Sequence, residues 1–214
     1  MMKLRKSEVI TMGITLFSFA AACYFYPQMP ERMASHWNIH GEPDGYLAKF
    51  WGLFLMPLVL LGVGLLFLAI PRVDPLKVNI EKFRRYYDGF VILFLIFLLS
   101  IYFQANLWNL GIRVSPNGVI PIGLGLLFIY TGVLLKNAKR NWFIGIRTPW
   151  TLSSDRVWER THRIGGKLFK IAGVIALLGV FFQSYLLFFI LVPVILSAIY
   201  TVVYSYLEYQ KEGK

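Results

Sequence analysis

Apolar residues in this chain fall into long blocks separated by short polar segments. Blocks at residues 9–26, 50–70, 90–107 and 119–135 each approach the ~20 mainly apolar residues that carry a helix across ~30 Å of hydrocarbon. Residues 171–207 form a longer block with almost no charge. As one helix rising about 1.5 Å per residue it would reach about 55 Å, too far for a single crossing. Its only adjacent polar pair is Gln183-Ser184, so the block is expected to fold there into a fifth and a sixth span. The fifth then starts near Leu168, with Lys167 and Lys170 reaching to the interface. The blocks are apolar all round rather than alternating, which favours helices, since a helix satisfies its own backbone in lipid. The expected fold class is all-α, a polytopic membrane protein with six transmembrane helices. The first block continues to Tyr26 and is followed by Pro27-Gln28 rather than a small-residue cleavage site, so it reads as a retained span and not a signal peptide.

Composition agrees with this pattern. The chain is 57% hydrophobic and 15% charged, against roughly 25% charged in soluble domains, too little to coat a soluble core. The net charge of +11 raises nucleic acid as a partner. The basic residues lie in the gaps between apolar blocks, however, so the lipid bilayer is the expected partner and no direct nucleic-acid contact is expected. With the N-terminus in the cytoplasm, only Arg32, Lys49 and Arg113 of the 22 Lys and Arg residues fall outside. By the positive-inside rule this places both termini in the cytoplasm of a multi-pass cell-membrane protein. Cys23 is the single cysteine and sits within an apolar block as a small packing residue. Two three-span domains are expected, residues 1–110 with a long outer loop at 27–49 and residues 111–214 with a basic cytoplasmic loop at 136–170.

Those two loops hold the chemistry. The outer loop contains His36, Trp37, Asn38 and His40, then Gly41-Glu42-Pro43-Asp44-Gly45, a turn signal in which Pro sets φ and Gly permits positive φ. In the inner loop Ser153 or Ser154 can cap a helix with Asp155 in its first turn. Val157, Trp158, Thr161, Ile164, Leu168 and Phe169 then fall on one side, and Arg156, Glu159, Arg160 and Arg163 mostly on the other. Residues 154–169 thus read as an interfacial amphipathic helix running into the fifth span.

The segment Asn141-Trp142-Phe143-Ile144-Gly145-Ile146-Arg147-Thr148-Pro149-Trp150-Thr151-Leu152-Ser153-Ser154-Asp155, with Val157-Trp158 and Thr161-His162-Arg163 after it, resembles the signature of the SdpI family of bacterial toxin-immunity membrane proteins. The stretch from Pro30 through His36-Trp37-Asn38 to Gly45 resembles the membrane domain of unknown function that often precedes it. The resemblance implies immunity to a secreted peptide toxin that collapses the membrane potential. It also implies signalling, by holding a cytoplasmic autorepressor at the membrane.

Each candidate residue has a plainer reading beside its functional one. His36 and His40 with Glu42 and Asp44 offer nitrogen and oxygen ligands of the kind zinc takes, but turn-forming residues do not align the rings, and no metal or cofactor is expected. The loop can instead fold back over the bundle through His36, Trp37 and Asn38, or present His36, Trp37, Asn38, His40, Glu42 and Asp44 as a toxin-contacting surface. Trp142, Trp150 and Trp158 can anchor at the headgroups, or form a partner-docking face with Asp155, Arg156, Arg160, His162 and Arg163. Arg147 lies in a tight turn, where pairing with an acid or helix-end carbonyls is a structural alternative. Gly62, Gly64, Gly123, Gly125, Gly173 and Gly179 read as helix-packing positions. No His-Glu-x-x-His, Gly-x-Ser-x-Gly or phosphate-binding loop occurs, and no enzyme activity is expected. No charged residue or His sits in the middle of a proposed span, which weighs against the competing reading, a small transporter or permease component.

Overall fold

A computed structural model describes residues 5–212, leaving Lys3 and Lys214, which entered the charge count, outside the described residues. Among the described residues six helices are long and apolar enough to cross a membrane. In chain order they are α1 (Lys6–Phe25), α2 (Lys49–Val73), α4 (Arg84–Asn109), α5 (Pro116–Asn137), α7 (Asp155–Leu178) and α8 (Leu186–Gln210). Two short helices, α3 (Lys77–Lys82) and α6 (Pro149–Ser153), lie between them, and β1 (Arg32–Trp37) with β2 (Pro43–Ala48) forms a hairpin between α1 and α2. The chain is therefore an all-α, multi-pass membrane protein with one small two-stranded sheet. The last apolar block turns through short 3-10 segments at Gly179–Phe181 and Gln183–Tyr185, where the Gln183-Ser184 pair predicted the fold-back.

The packing sorts residues differently from a soluble bundle. Buried positions on α1 include Glu8, Thr11, Thr15, Ser18, Ala21 and Ala22, while Leu16, Phe17 and Tyr24 are exposed. On α8 the buried positions include Ser197, Thr201, Ser205 and Glu208, while Leu196, Ile199 and Val203 are exposed. Lipid is as apolar as leucine, so small and hydroxyl side chains gain by facing the bundle, where close approach and hydrogen bonding are available. Thr15 Oγ1 donates to Thr11 O, and Ser197 Oγ donates to Pro193 O.

The antiparallel pair α5–α7 is the tightest contact between helices. A Cβ on Gly132 would fall 2.4 Å from the carbonyl oxygen of Gly166, and one on Gly173 would fall 2.5 Å from that of Gly125. Gly132 and Gly166 were not singled out from the sequence. Of the six glycines that were, Gly62 is a correction: nothing lies within 4 Å of a Cβ there. It faces away from its neighbours, whereas Gly64, one step round the helix, lies against Thr11. Helices α1, α2 and α4 pack on one another, α7 packs on α5 and α8, and α4 against α5 joins the two groups.

Several helices run further than their apolar blocks, because charged turns at one end of the bundle are paired. Glu8 is 4% exposed and meets Arg72 of α2 at 2.6 Å and Arg84 of α4 at 3.7 Å. Arg84 also reaches Asp88 at 2.7 Å and Glu81 at 3.3 Å, and Ser7 Oγ donates to Asp88. The starts of α1 and α4 and the end of α2 are thereby tied at one level. Helix α7 begins at Asp155 with Ser154 as its N-cap, so the amphipathic segment and the fifth span are one continuous helix.

Candidate functional site: the hairpin face and the signature loop

At one end of the bundle the hairpin pairs Arg32 with Ala48, Met33 with Leu47, Ala34 with Tyr46, His36 with Gly45 and Trp37 with Pro43, with irregularities at His36. Asn38 organises its tip: Oδ1 accepts the N–H groups of His40 at 2.9 Å and Glu42 at 3.0 Å, and Nδ2 donates to Glu42. Gly41 takes φ +77°, left-handed backbone that favours glycine. His36 Nδ1 lies 2.5 Å from Asp44 Oδ1 in an exposed pair, and His40 is exposed at the turn. Among the described residues no three His, Cys, Asp or Glu side chains gather as a metal site would require.

Four contacts hold the hairpin to the bundle. Met33 is 1% exposed and covers Gly52 at the start of α2. Asn109, at the end of α4, acts as a third strand: Oδ1 accepts the Ala34 N–H at 2.8 Å and Nδ2 donates to Ala34 O at 2.9 Å. Asn117 Nδ2, at the start of α5, donates to Ile39 O at 2.9 Å. Trp37 also packs edge-on against Trp108, with ring centroids 5.8 Å apart. Asn109 and Asn117 were not anticipated, since their partners lie far off in sequence and no local pattern marks them.

The signature loop lies at the opposite end. Asn141 is fully buried, and its amide closes the turn: Oδ1 accepts the N–H groups of Phe143 at 2.9 Å and Ile144 at 2.6 Å, while Nδ2 donates to the carbonyls of Lys139 and Ile144. Asp74, just past α2, accepts the Trp142 N–H at 2.9 Å and so ties the loop to the first group of helices. His162 Nε2 accepts the Ile146 N–H at 3.0 Å, which puts the ring proton on Nδ1, where it donates to Trp158 O at 2.8 Å. The His162 ring stacks on Trp158 at 3.9 Å, and Trp158 Nε1 donates to Ala138 O. Gly145 takes φ +113°, and a Cβ there would fall 2.4 Å from His162 Nε2. Thr148 and Thr151 cap α6 reciprocally, and Thr148 Oγ1 meets Ser205 Oγ of α8 at 3.0 Å.

The predicted inner-loop residues therefore divide in two. Trp158 and His162, each 1% exposed, support the loop from within, so the headgroup-anchoring alternative does not describe Trp158. Its neighbours on the buried side of α7 include Thr161, Gly165 and Gly166. Trp142 and Arg147 are exposed, Arg147 donating to Trp142 O at 2.7 Å, a loop carbonyl rather than an acid or a helix end. Trp150 packs on Tyr206 at 5.1 Å. Asp155 pairs with Arg140, and Arg160 pairs with Glu208 at 2.6 Å. Arg156 has only a 4.0 Å contact with Glu212, and Arg163 is exposed with no carboxylate within 4.0 Å among the described residues. The sequence-read arginine face thus holds one arginine committed to α8 and two available ones.

Comparison with known proteins covers both ends. Residues 137–205 match the SdpI/YfhL protein family, and residues 13–61 match DUF1648, a domain of unknown function. The chain is 28% identical over 207 residues to the protein named Immunity protein SdpI from Bacillus subtilis (strain 168), an alignment spanning 96% of this chain and 97% of that protein. No solved structure matches the chain significantly. The residues that match the SdpI/YfhL model hold the buried loop with α7 and most of α8, and those that match DUF1648 hold most of α1, the hairpin and the first half of α2, where the two loop signatures lie.

Proposed function

We propose that this is a membrane immunity protein that protects its cell against a secreted peptide toxin. The observation that carries the reading is the alignment with an immunity protein along nearly the whole of both chains. In this reading the hairpin faces outward, where a toxin arrives, and the signature loop with its basic surroundings faces the cytoplasm. Arg156 and Arg163, together with the exposed Trp142, form a face on which a repressor-type protein docks and is held at the membrane. The two groups of three helices are read as two domains, one for each task. The middles of α1, α2, α4, α5 and α8 carry no charged residue, so a coupled transporter gains no support.

The test is deletion of the gene and its return on a plasmid, followed by challenge with membrane-depolarising peptide toxins while a potential-sensitive dye is read. Deletion should sensitise cells to at least one such peptide, and the returned gene should restore the potential. Arg156→Glu with Arg163→Glu should release a membrane-held partner while leaving protection intact. If neither deletion nor overexpression changes the response to any peptide, the immunity reading fails.

A further inference from the structure

Between the hairpin and the ends of α4 and α5 lies a cavity of about 270 Å³. Ile101 of α4 with Val119 and Ile120 of α5 gives it an apolar wall, and Trp37, Gln104 and Asn117 give it a polar one. Gln104 is 3% exposed and Asn117 6%. Their amide nitrogens are already engaged, Gln104 Nε2 donating to Val114 O and Asn117 Nδ2 to Ile39 O, which leaves their side-chain oxygens as acceptors. The indole N–H of Trp37 differs: it is shielded from solvent and has no acceptor among the described residues. A donor held that way costs free energy that an incoming acceptor recovers.

We propose that this cavity is the anchor site of the hairpin face: it takes one apolar side chain of an extracellular peptide, whose adjoining main-chain carbonyl accepts the Trp37 Nε1–H. Its volume is below the roughly 300–1,000 Å³ of pockets that enclose a whole ligand, so it suits one side chain and its peptide group. Free acceptors beside a free donor match a peptide group, which offers both N–H and C=O, whereas an acyl chain offers neither. The one titratable lining residue, His36, is paired with Asp44, so the cavity presents no free cation for a lipid phosphate. A buried anchor of this kind is where binding energy concentrates in peptide recognition. The proposal rests on the reading of the hairpin as the outward, toxin-meeting face.

The experiment uses the full chain in nanodiscs with 15N-labelled tryptophan, the Trp37 indole resonance being identified by its loss in Trp37→Phe. The probe is N-acetyl-leucine methylamide, with N-acetyl-glycine methylamide as control. The leucine probe should shift the Trp37 indole proton downfield with a saturable dependence, and the glycine probe should not. Ile120→Phe, which fills the cavity, should weaken that binding at least tenfold while the other indole resonances keep their positions. If that variant loses its dispersed spectrum, Ile101→Phe, which fills the cavity from α4 instead of α5, gives the same reading. No saturable shift, an equal shift with glycine, undiminished binding in a folded filled variant, or a shift that follows the nanodisc lipid instead of the probe each overturns the proposal. Saturable leucine binding in a protein whose deletion leaves toxin sensitivity unchanged supports the site and removes the immunity reading. Protection without probe binding does the reverse.

Discussion

Single buried amides and one imidazole hold both loops in shape. Asn141 uses all four of its side-chain bonds within the turn it closes, so Asn141→Leu strands buried backbone groups at about 1–3 kcal/mol each. A substantial fall in thermal midpoint is therefore expected for the purified variant in detergent, larger than for an exposed control such as Arg147→Ala. His162 supplies an acceptor that only a neutral ring has, and His162→Phe keeps the stack on Trp158 while removing it. In that variant the loop should open enough for trypsin to cut at Arg147 in inside-out vesicles at a rate the parent protein resists. Equal cleavage of both would show that the Ile146 bond does not hold the loop. Such residues are hard to recognise in a sequence, because an asparagine in a polar loop looks the same whether it is solvated or completely enclosed.

Among the elements, α5 and α7 set the closest tolerance. Gly132→Ala places a Cβ 2.4 Å from the Gly166 carbonyl, a backbone atom that cannot swing aside, so the helices must separate. Loss of the folded, monodisperse protein or a steep fall in its midpoint is expected. Gly62→Ala meets nothing within 4 Å and removes a helix-weakening glycine, which favours the helix by about 1 kcal/mol, so it should be neutral or mildly stabilising. A midpoint for Gly132→Ala equal to that of Gly62→Ala would contradict the packing described. Composition placed glycines in the spans, but only the partner helix separates the lipid-facing one from those in contact. Helix α7 makes the same point for charge: its arginine face was legible from spacing, but the commitment of Arg160 to Glu208 of α8 was not.

Over the described residues the hairpin and the signature loop lie at opposite ends of the bundle, and the start of α1 and the end of α8 lie at the loop's end. The orientation proposed above rests on the positive-inside rule. In a Cys23→Ala background, cysteines at His40 and Ser184 should react with an impermeant maleimide added to intact cells. Cysteines at Lys77, Ser153 and Glu212, all exposed, should react only after the membrane is opened. Labelling of Glu212→Cys in intact cells would overturn both the fold-back at Gln183-Ser184 and the sidedness drawn from it.

The sequence by itself determined the number of crossings, the place where the last block folds back and the two loops that carry family signatures. A bilayer demands long uninterrupted apolar runs, and such runs, like a turn or a loop signature, are written in adjacent residues. The tertiary structure alone decided which faces of those runs turn inward, because hydrophobicity cannot sort inside from outside when the surroundings are lipid. It selected Thr11, Thr15 and Ser18 of α1 and Ser197, Thr201 and Ser205 of α8 for burial over larger apolar neighbours. It also held the loop at 27–49 as a hairpin against the bundle, since β1 gains a partner in Asn109 from 75 residues away. Where function is concerned, the sequence named Trp37, and only the fold set it beside Gln104 and Asn117 with its indole donor unpaired, because that juxtaposition depends on how α4, α5 and the hairpin meet.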